Sequence, residues 1–375
     1  MKILQIVGEI DGGGVGAVVL NYLSHMDLSG IECDVLAFRK ENKKVQLLEN
    51  NFKELGCDVI FVDHRNTGYV KHFSAFKKVL EEGGYDAVHC HFGIWSTPYL
   101  LVAATQGIKI RIAHSHVANN EYGVVKQTLL SLTKPLLNCC VTDRMACGND
   151  AGEYLWNHKK FTVLKNAIEI ENFQYNENTR KIYREKFKIE DHCVVLGNVG
   201  RFSYQKNQWF LVHLYEKLRL ISDNIKLVLV GDGEDFDEIN SYVKKKNLDN
   251  SIILLGLRKD VADVMQMIDV FLLPSRYEGL PVVAIEAQCA GIPCLLSDQI
   301  TKEVILLKKS ILLPIEPENK CIDIWKEKTL NIMKDSVIST DRKCGSTEVR
   351  NAGYDICIEA EKLRQFYLAR GNMNE

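Results

Sequence analysis

A chain of 375 residues with 46% hydrophobic and 26% charged side chains and only 7 prolines is too apolar to stay disordered and too long for a single core, so two folded domains are expected. Its formal charge of -2 gives no global basic field, which excludes a general nucleic-acid binder. The 12 cysteines contain no CxxC pair and so no zinc or disulfide framework, and with no signal-like segment and no apolar run near the ~18 residues that span a bilayer, a cytoplasmic setting is expected.

Residues 2–7 read as a buried strand, followed by a glycine-rich loop from Gly8 to Gly16 and a helical pattern at 17–26. Strand, glycine loop and helix is the order in which backbone N–H groups cradle phosphate. The glycines at 12, 14 and 16 do not match the GxGxxG of a dinucleotide fold, and a plain tight turn explains them equally well. Strand-like segments at 33–38, 59–62, 87–91 and 110–113 alternate with helical stretches near 46–54, 70–82, 98–105 and 124–137. The alternation implies βαβ units and a parallel sheet, whose ligands gather at the carboxyl ends of the strands. Those ends carry His89, His91, His114 and His116. His89 and His91 are expected to alternate across their strand, so that at most one of them faces a ligand. His116 follows a buried strand directly, where a base or orienting group would face whatever lies on the sheet. A strand leading to a turn at 141–148, a short helix at 150–155 and a strand and turn at 162–169 close this half.

Residues 172–191 turn polar and mark a linker and the first surface helix of a second domain. A strand at 193–199 opens that domain, and Arg201 and Lys206 both leave its carboxyl end before a helix at 208–220. Two cations there suit a diphosphate, the guanidinium as a fork and the ammonium as a point charge. Further strands at 226–230 and 252–255 end in Gly231-Asp-Gly-Glu234 and Gly256-Leu-Arg-Lys-Asp260. After a helix at 261–267, a strand from Asp269 delivers the most informative run of the chain, Pro274-Ser-Arg-Tyr-Glu-Gly-Leu-Pro281. Pro281 suits the first turn of a helix that Gly291 stops and Pro293 keeps from resuming. The helix start over 279–282 offers unpaired N–H groups and the positive end of the helix dipole to an anion. Glu278 lies in the loop beside that anion and Glu286 more than a turn into the helix, so the two carboxylates straddle a ligand longer than one phosphate. A sugar nucleotide has that length. Asp235-Phe-Asp237 has the DxD form of some metal-diphosphate sites, but it stands at a helix start, where acidic residues favour the dipole anyway. A short strand at 295–297, a helix at 325–335 and a long amphipathic helix at 348–367 complete the chain.

With these motifs in place, the chain resembles the retaining GT-B glycosyltransferases of the family-4 type (glycosyl transferases group 1), in the branch that builds bacterial capsular and exopolysaccharides. The likeness runs through Gly13-Gly14, Asp86-Ala-Val-His-Cys-His91, Ile112-Ala-His-Ser-His116, Ala146-Cys-Gly-Asn-Asp-Ala-Gly152, Lys165-Asn-Ala-Ile-Glu169, Gly200-Arg201 with Lys206, Gly231-Asp-Gly233 and the Glu-x7-Glu pair Glu278 and Glu286. The last, in its setting Pro-Ser-x-Tyr-Glu-Gly-Leu-Pro, is the specific one. The resemblance implies an α/β fold of two Rossmann-like domains facing across a cleft, with 1–170 on the acceptor side and 171–354 binding a nucleotide sugar. A C-terminal helix at about 355–375 would pack back on the first domain.

By the same resemblance, Arg201 and Lys206 would neutralise the departing diphosphate. Glu278 would meet the transferred sugar, Gly279, Leu280 and Pro281 the phosphates, and Glu286 the ribose hydroxyls. Gly13 and Gly14 would let backbone approach the donor, Gly231 would belong to the donor site, and backbone near Arg258 would contact the base. His116 would sit near the reacting sugar, with His114 the alternative within His-Ser-His, and His91 and His114 are acceptor-side candidates. The donor would be a nucleotide-diphosphate sugar, UDP-sugar favoured, with no metal and no cofactor required. The acceptor would be a glycan or a lipid-linked oligosaccharide. Peripheral contact with the inner membrane would use basic segments around Lys71 to Lys78 and Lys126 to Lys134, which a solvated charged face explains equally well. One departure is Gly16, where many relatives carry an acidic residue. A Rossmann oxidoreductase using NAD leaves the Glu278 and Glu286 run unexplained, whereas a catalytically silent sugar-nucleotide-binding subunit of a glycosyltransferase would keep the same binding residues.

Overall fold

The computed structural model describes residues 1–10, 14–39, 46–116, 132–334 and 342–372. The chain divides into two compact units, Met1–Ala167 with Ile356–Glu375, and Ile168–Asp355. In the first, strands β1 (Lys2–Gly8), β2 (Glu32–Arg39), β3 (Val59–Asp63), β4 (Ala87–Cys90), β5 (Ile110–Ser115), β6 (Asp143–Ala146) and β7 (Thr162–Val163) form one parallel sheet in the order β3-β2-β1-β4-β5-β6-β7. The central strands are buried along almost their whole length, which is why they read as continuous apolar runs and not as alternating ones. Strand order reverses between β1 and β4, and a crevice opens at the carboxyl ends of such a switch point. The helix Ile356–Asn372 lays Ile356, Ala360, Leu363 and Tyr367, one apolar face at helical spacing, into the core shared with β1.

In the second unit, β8 (Val194–Val199), β9 (Ile225–Val230), β10 (Ile252–Leu254), β11 (Val270–Leu273), β12 (Cys294–Ser297) and β13 (Ile311–Leu313) form a second parallel sheet in the order β10-β9-β8-β11-β12-β13. Its switch point lies between β8 and β11. The polar stretch around 172–191 forms a helix, Glu177–Lys186, whose start is capped by the Asn176 side chain. This helix is anchored and not merely superficial. Buried Asp269, just before β11, accepts from Arg180, from the equally buried Arg184 and from the backbone N–H of Val195. A buried carboxylate so supplied ties helix and sheet together, and removing one partner would strand the other's charge.

Three elements differ from expectation. β13 was not read from the sequence, because three residues are too few to show a period. The single helix expected at 348–367 is two, Gly345–Asn351 and Ile356–Asn372, with Gly353 between them at φ +81°, a left-handed conformation that ends a helix. The helix expected at 325–335 starts earlier, at Glu318. Most of the helix expected at 124–137 lies outside the described residues, although Lys134–Cys140 is helical. No helix among the described residues is long and apolar enough to cross a membrane.

Candidate active site

In the second unit the loops that follow β8 and β11 meet over the switch point. Lys206 Nζ forms an ion pair with Glu278 Oε1, which also accepts from Ser275 Oγ at 2.9 Å. The two charged side chains are only 17% and 11% exposed, so their attraction is little screened and neither tolerates losing its partner. A ligand that draws Glu278 onto a hydroxyl must therefore bring Lys206 a new anion, as a sugar diphosphate does. Arg201 is not part of this pair: it is exposed and bonds through Nε to Glu234 Oε2 at 3.1 Å, a screened contact that is cheaply exchanged.

The backbone of the β8 loop rests on that of the β9 loop. Phe202 bridges to Gly233, and a Cβ at Gly231, whose φ is +131°, would lie 2.0 Å from the carbonyl oxygen of Gly200. Glycine at 231 thus seats the loop that carries Arg201. After Gly279, Leu280 and Pro281, the helix Val282–Cys289 begins with Pro281 as its cap residue and no side chain bonded to its first N–H groups. Those donors are available to an anion. Glu286, half-buried on this helix, makes no ion pair among the described residues, and burial pushes its carboxyl up to about 7. The Arg258 side chain is committed to Asp260, with Nε to Oδ1 at 2.7 Å, and Asp260 also accepts from Tyr183 Oη at 2.7 Å. The guanidinium holds the Asp260 carboxyl well below the usual carboxylate range.

In the first unit, four histidines form a stack at the carboxyl ends of β4 and β5. His89 and His91 lie ring on ring at 4.2 Å between centroids, and His114 and His116 at 4.1 Å. This corrects the expectation that His89 and His91 point to opposite sides: residues two apart on a strand share a face, and both rings are buried together. His91 Nδ1 lies 3.0 Å from His116 Nε2, and His91 Nε2 lies 3.0 Å from Gln5 Oε1. Gln5 Nε2 donates to Tyr367 Oη at 3.0 Å, and Tyr367 Oη lies 2.6 Å from His89 Nδ1. Both ring nitrogens of His114 are buried without a hydrogen-bond partner among the described residues. Burial pushes all four imidazoles towards the neutral form, His116 down to about 4, with the Asn166 side chain acting in the opposite direction. Nitrogens of His89, His91 and His114 come within 4.8 Å of one another, but the rings of His89 stack on His91 at 22° and on His114 at 15°. Lone pairs lie in the ring planes, so stacked rings aim them side by side and not at one point, and both nitrogens of His91 are already engaged. The trio does not suit a metal ion.

Gly13 lies outside the described residues, while Gly14 opens the helix Gly14–Ser24. Lys71, Lys77 and Lys78 are each paired, with Asp63, Glu81 and Glu82, so every ammonium on the helix Tyr69–Gly83 has a counter-charge beside it. Most of the segment 126–134 lies outside the described residues. Sequence reasoning missed Gln5, Tyr367, Ser275 and Glu234 as partners of the site. Only Gln5 left a signal, a polar residue in the middle of the apolar run Ile3-Leu-Gln-Ile-Val7.

Two Rossmann-like units, each with polar residues gathered at its switch point, define a GT-B fold. A crystal structure of HepE from Anabaena in complex with UDP and glucose is similar to this chain with a TM-score of 0.75, covering 98% of this chain and 100% of that one at 17% identity, which shows the fold. Residues 179–313 match the sequence profile of the glycosyl transferases group 1. A Bacillus subtilis (strain 168) protein provisionally named glycosyltransferase EpsF is 30% identical over 312 residues, 81% of this chain and 80% of its own. The Escherichia coli UDP-Gal:alpha-D-GlcNAc-diphosphoundecaprenol alpha-1,3-galactosyltransferase is 25% identical over 312 residues, 80% of this chain and 79% of its own. The chain belongs to the group 1 glycosyltransferases.

Proposed function

We propose that this glycosyltransferase moves a sugar, with retention of anomeric configuration, from a nucleotide-diphosphate sugar to a glycan or lipid-linked oligosaccharide in bacterial surface polysaccharide synthesis. The observation that carries the reading is the shielded Lys206–Glu278 pair beside the uncapped start of the helix Val282–Cys289. A UDP-sugar is the favoured donor, supported by the UDP-Gal in the name of the Escherichia coli relative, and the diphosphoundecaprenol in the same name supports a lipid-linked acceptor. With a lipid-linked acceptor, we place the enzyme in the cytoplasm, peripheral at the cytoplasmic face of the membrane.

In the donor complex, Glu278 turns from Lys206 to hydroxyls of the transferred sugar, and Lys206 and the helix start take the diphosphate. Arg201 leaves Glu234 to join them, Glu286 accepts from the ribose hydroxyls, and backbone beside Arg258 meets the base. As the bond between the anomeric carbon and the phosphate oxygen breaks, the growing negative charge falls on donors already oriented towards it, with no metal ion needed to absorb it. The acceptor hydroxyl attacks from the face the diphosphate leaves, the new glycosidic C–O bond forms there, and its proton passes to the departing phosphate. His116 is assigned the orientation of a substrate hydroxyl.

A thermal-shift screen of UDP-, GDP- and ADP-sugars tests the donor: one class should stabilise strongly. Exchanging Lys206 for Met and Glu278 for Gln together, which leaves no unpaired buried charge, should then abolish transfer while the protein stays folded, and undiminished turnover would sink the assignment. Strong stabilisation by a donor with no transfer to any acceptor would instead point to a binding subunit.

A further inference from the structure

We propose that Gln5, acting through His91, fixes the tautomer of His116, so that His116 carries its hydrogen on Nε2 and keeps Nδ1, buried in this structure, as a lone pair that accepts from a substrate hydroxyl brought against it. Only the last step rests on the role proposed above for His116; the tautomer stands on the hydrogen-bond geometry together with the burial that keeps His91 neutral.

The argument starts from Gln5 because a primary amide has unlike ends. Its Nε2 donates to Tyr367 Oη at 3.0 Å, so its Oε1, 3.0 Å from His91 Nε2, needs a donor there. His91 Nε2 therefore carries the hydrogen. A neutral imidazole has one N–H, and burial keeps this ring neutral, so His91 Nδ1 is a lone pair. The 3.0 Å contact between His91 Nδ1 and His116 Nε2 is then a hydrogen bond only if His116 Nε2 is the donor. That leaves His116 Nδ1 bare, and it makes no well-formed hydrogen bond among the described residues. On the other arm Tyr367 Oη, having accepted from Gln5, gives its own hydrogen to His89 Nδ1 at 2.6 Å.

The chain draws on β1, β4, the residue after β5 and the C-terminal helix, and Gln5 stands directly opposite His89 in the register of β1 and β4. Turning the Gln5 amide over would reverse every bond and put the hydrogen on His116 Nδ1. Gln5, His91 and Tyr367 are thus positioning residues: they touch no substrate, and they decide whether His116 offers a lone pair or a hydrogen.

The experiment is long-range proton–nitrogen NMR of the full-length protein labelled with nitrogen-15 at histidine, which reads each ring's tautomer directly. Wild type should show His91 and His116 with hydrogen on Nε2. Gln5→Leu should give mixed tautomers at His116 and lower kcat about tenfold with little change in donor KM. Gln5→Glu, which still accepts from His91, should keep the tautomer but move the acid limb of the kcat profile to higher pH, because it adds a negative charge beside the ring. If Gln5→Leu does not fold, Tyr367→Phe frees the same amide and should mix the tautomers. Hydrogen on His116 Nδ1 in wild type, a tautomer indifferent to both Gln5→Leu and Tyr367→Phe, or stoichiometric metal bound to His91 would each overturn the proposal. If the tautomers behave as stated but His116→Ala transfers sugar at the wild-type rate, the role of His116 fails and the chain stands.

Discussion

Replacing Gly231 by alanine tests whether the β8 loop is seated by its neighbour. Two costs follow from the geometry. A φ of +131° suits glycine and costs an L-residue about 1–2 kcal/mol. The new Cβ, 2.0 Å from a backbone oxygen, must also push Gly200 or its own strand end away, a rearrangement of about 1–3 kcal/mol like other overpacked sites. Restricting the unfolded chain returns about 0.4–1 kcal/mol. The net destabilisation is about 1–5 kcal/mol, a fall in Tm of roughly 2–20 °C for a unit of this size. Gly256→Ala is the internal control: its φ is +62° and nothing lies within 4 Å of the added carbon, so no steric cost applies and the torsional cost less the same unfolded-chain return leaves about 0–2 kcal/mol. Thermal and urea unfolding of both variants compares them, and donor titration reads the loop. Gly231→Ala should raise the donor KM at least tenfold, because Arg201 and Lys206 ride on the displaced segment. Equal stability of the two variants would refute the steric argument.

The proposed role of the half-buried Glu286 predicts donor binding that is sensitive to pH. With its carboxyl pushed up to about 7, the ionised form proposed to accept from ribose hydroxyls is lost as pH falls through 7, so the donor KM should rise there and Glu286→Gln should remove the dependence. Stability runs the other way: the folded value lies above the ordinary 4.5, so this residue's contribution is full below pH 4.5 and is lost as pH rises through 7. Urea midpoints that change equally with pH in wild type and Glu286→Gln would contradict it. Sugar transfer should continue in excess EDTA with no divalent cation added, since side chains and the helix start carry the leaving charge; a strict requirement for magnesium or manganese would defeat that reasoning.

The alternation of strands and helices was legible because buried parallel strands write continuous apolar runs. The run from Pro274 to Glu286 was legible because strand end, loop and helix start are contiguous, so local rules suffice. The partners were not, since topology and not spacing brings them together: Lys206 meets Glu278 across 72 residues and Gln5 meets Tyr367 across 362. Arg201 shows the converse. Its position after β8 was read correctly, but nothing local says that Glu234 holds its side chain. For His89 and His91 the sequence held the answer, as a spacing of two on a strand puts both on one side.

The two units use one strand order and furnish it differently. In each, the first strand of the unit lies beside the strand that reverses the order, β1 beside β4 and β8 beside β11, and polar side chains gather at that seam. In the second unit the seam holds an ammonium, a carboxylate and an uncapped helix start, groups whose charges need a charged ligand to replace one another. In the first it holds stacked, buried imidazoles, an amide and a phenol, kept neutral by burial and ordered by hydrogen bonds. A diphosphate arriving at the first seam would find no cation among these groups, and burying it there would cost several kcal/mol. A hydroxyl arriving at the second would leave Lys206 and Glu278 to each other. On the proposed function, charge favours the donor at the second seam and a hydroxyl-bearing acceptor at the first, and exchanging Lys206 and Glu278 for Met and Gln should destroy donor binding while leaving the histidine tautomers unchanged.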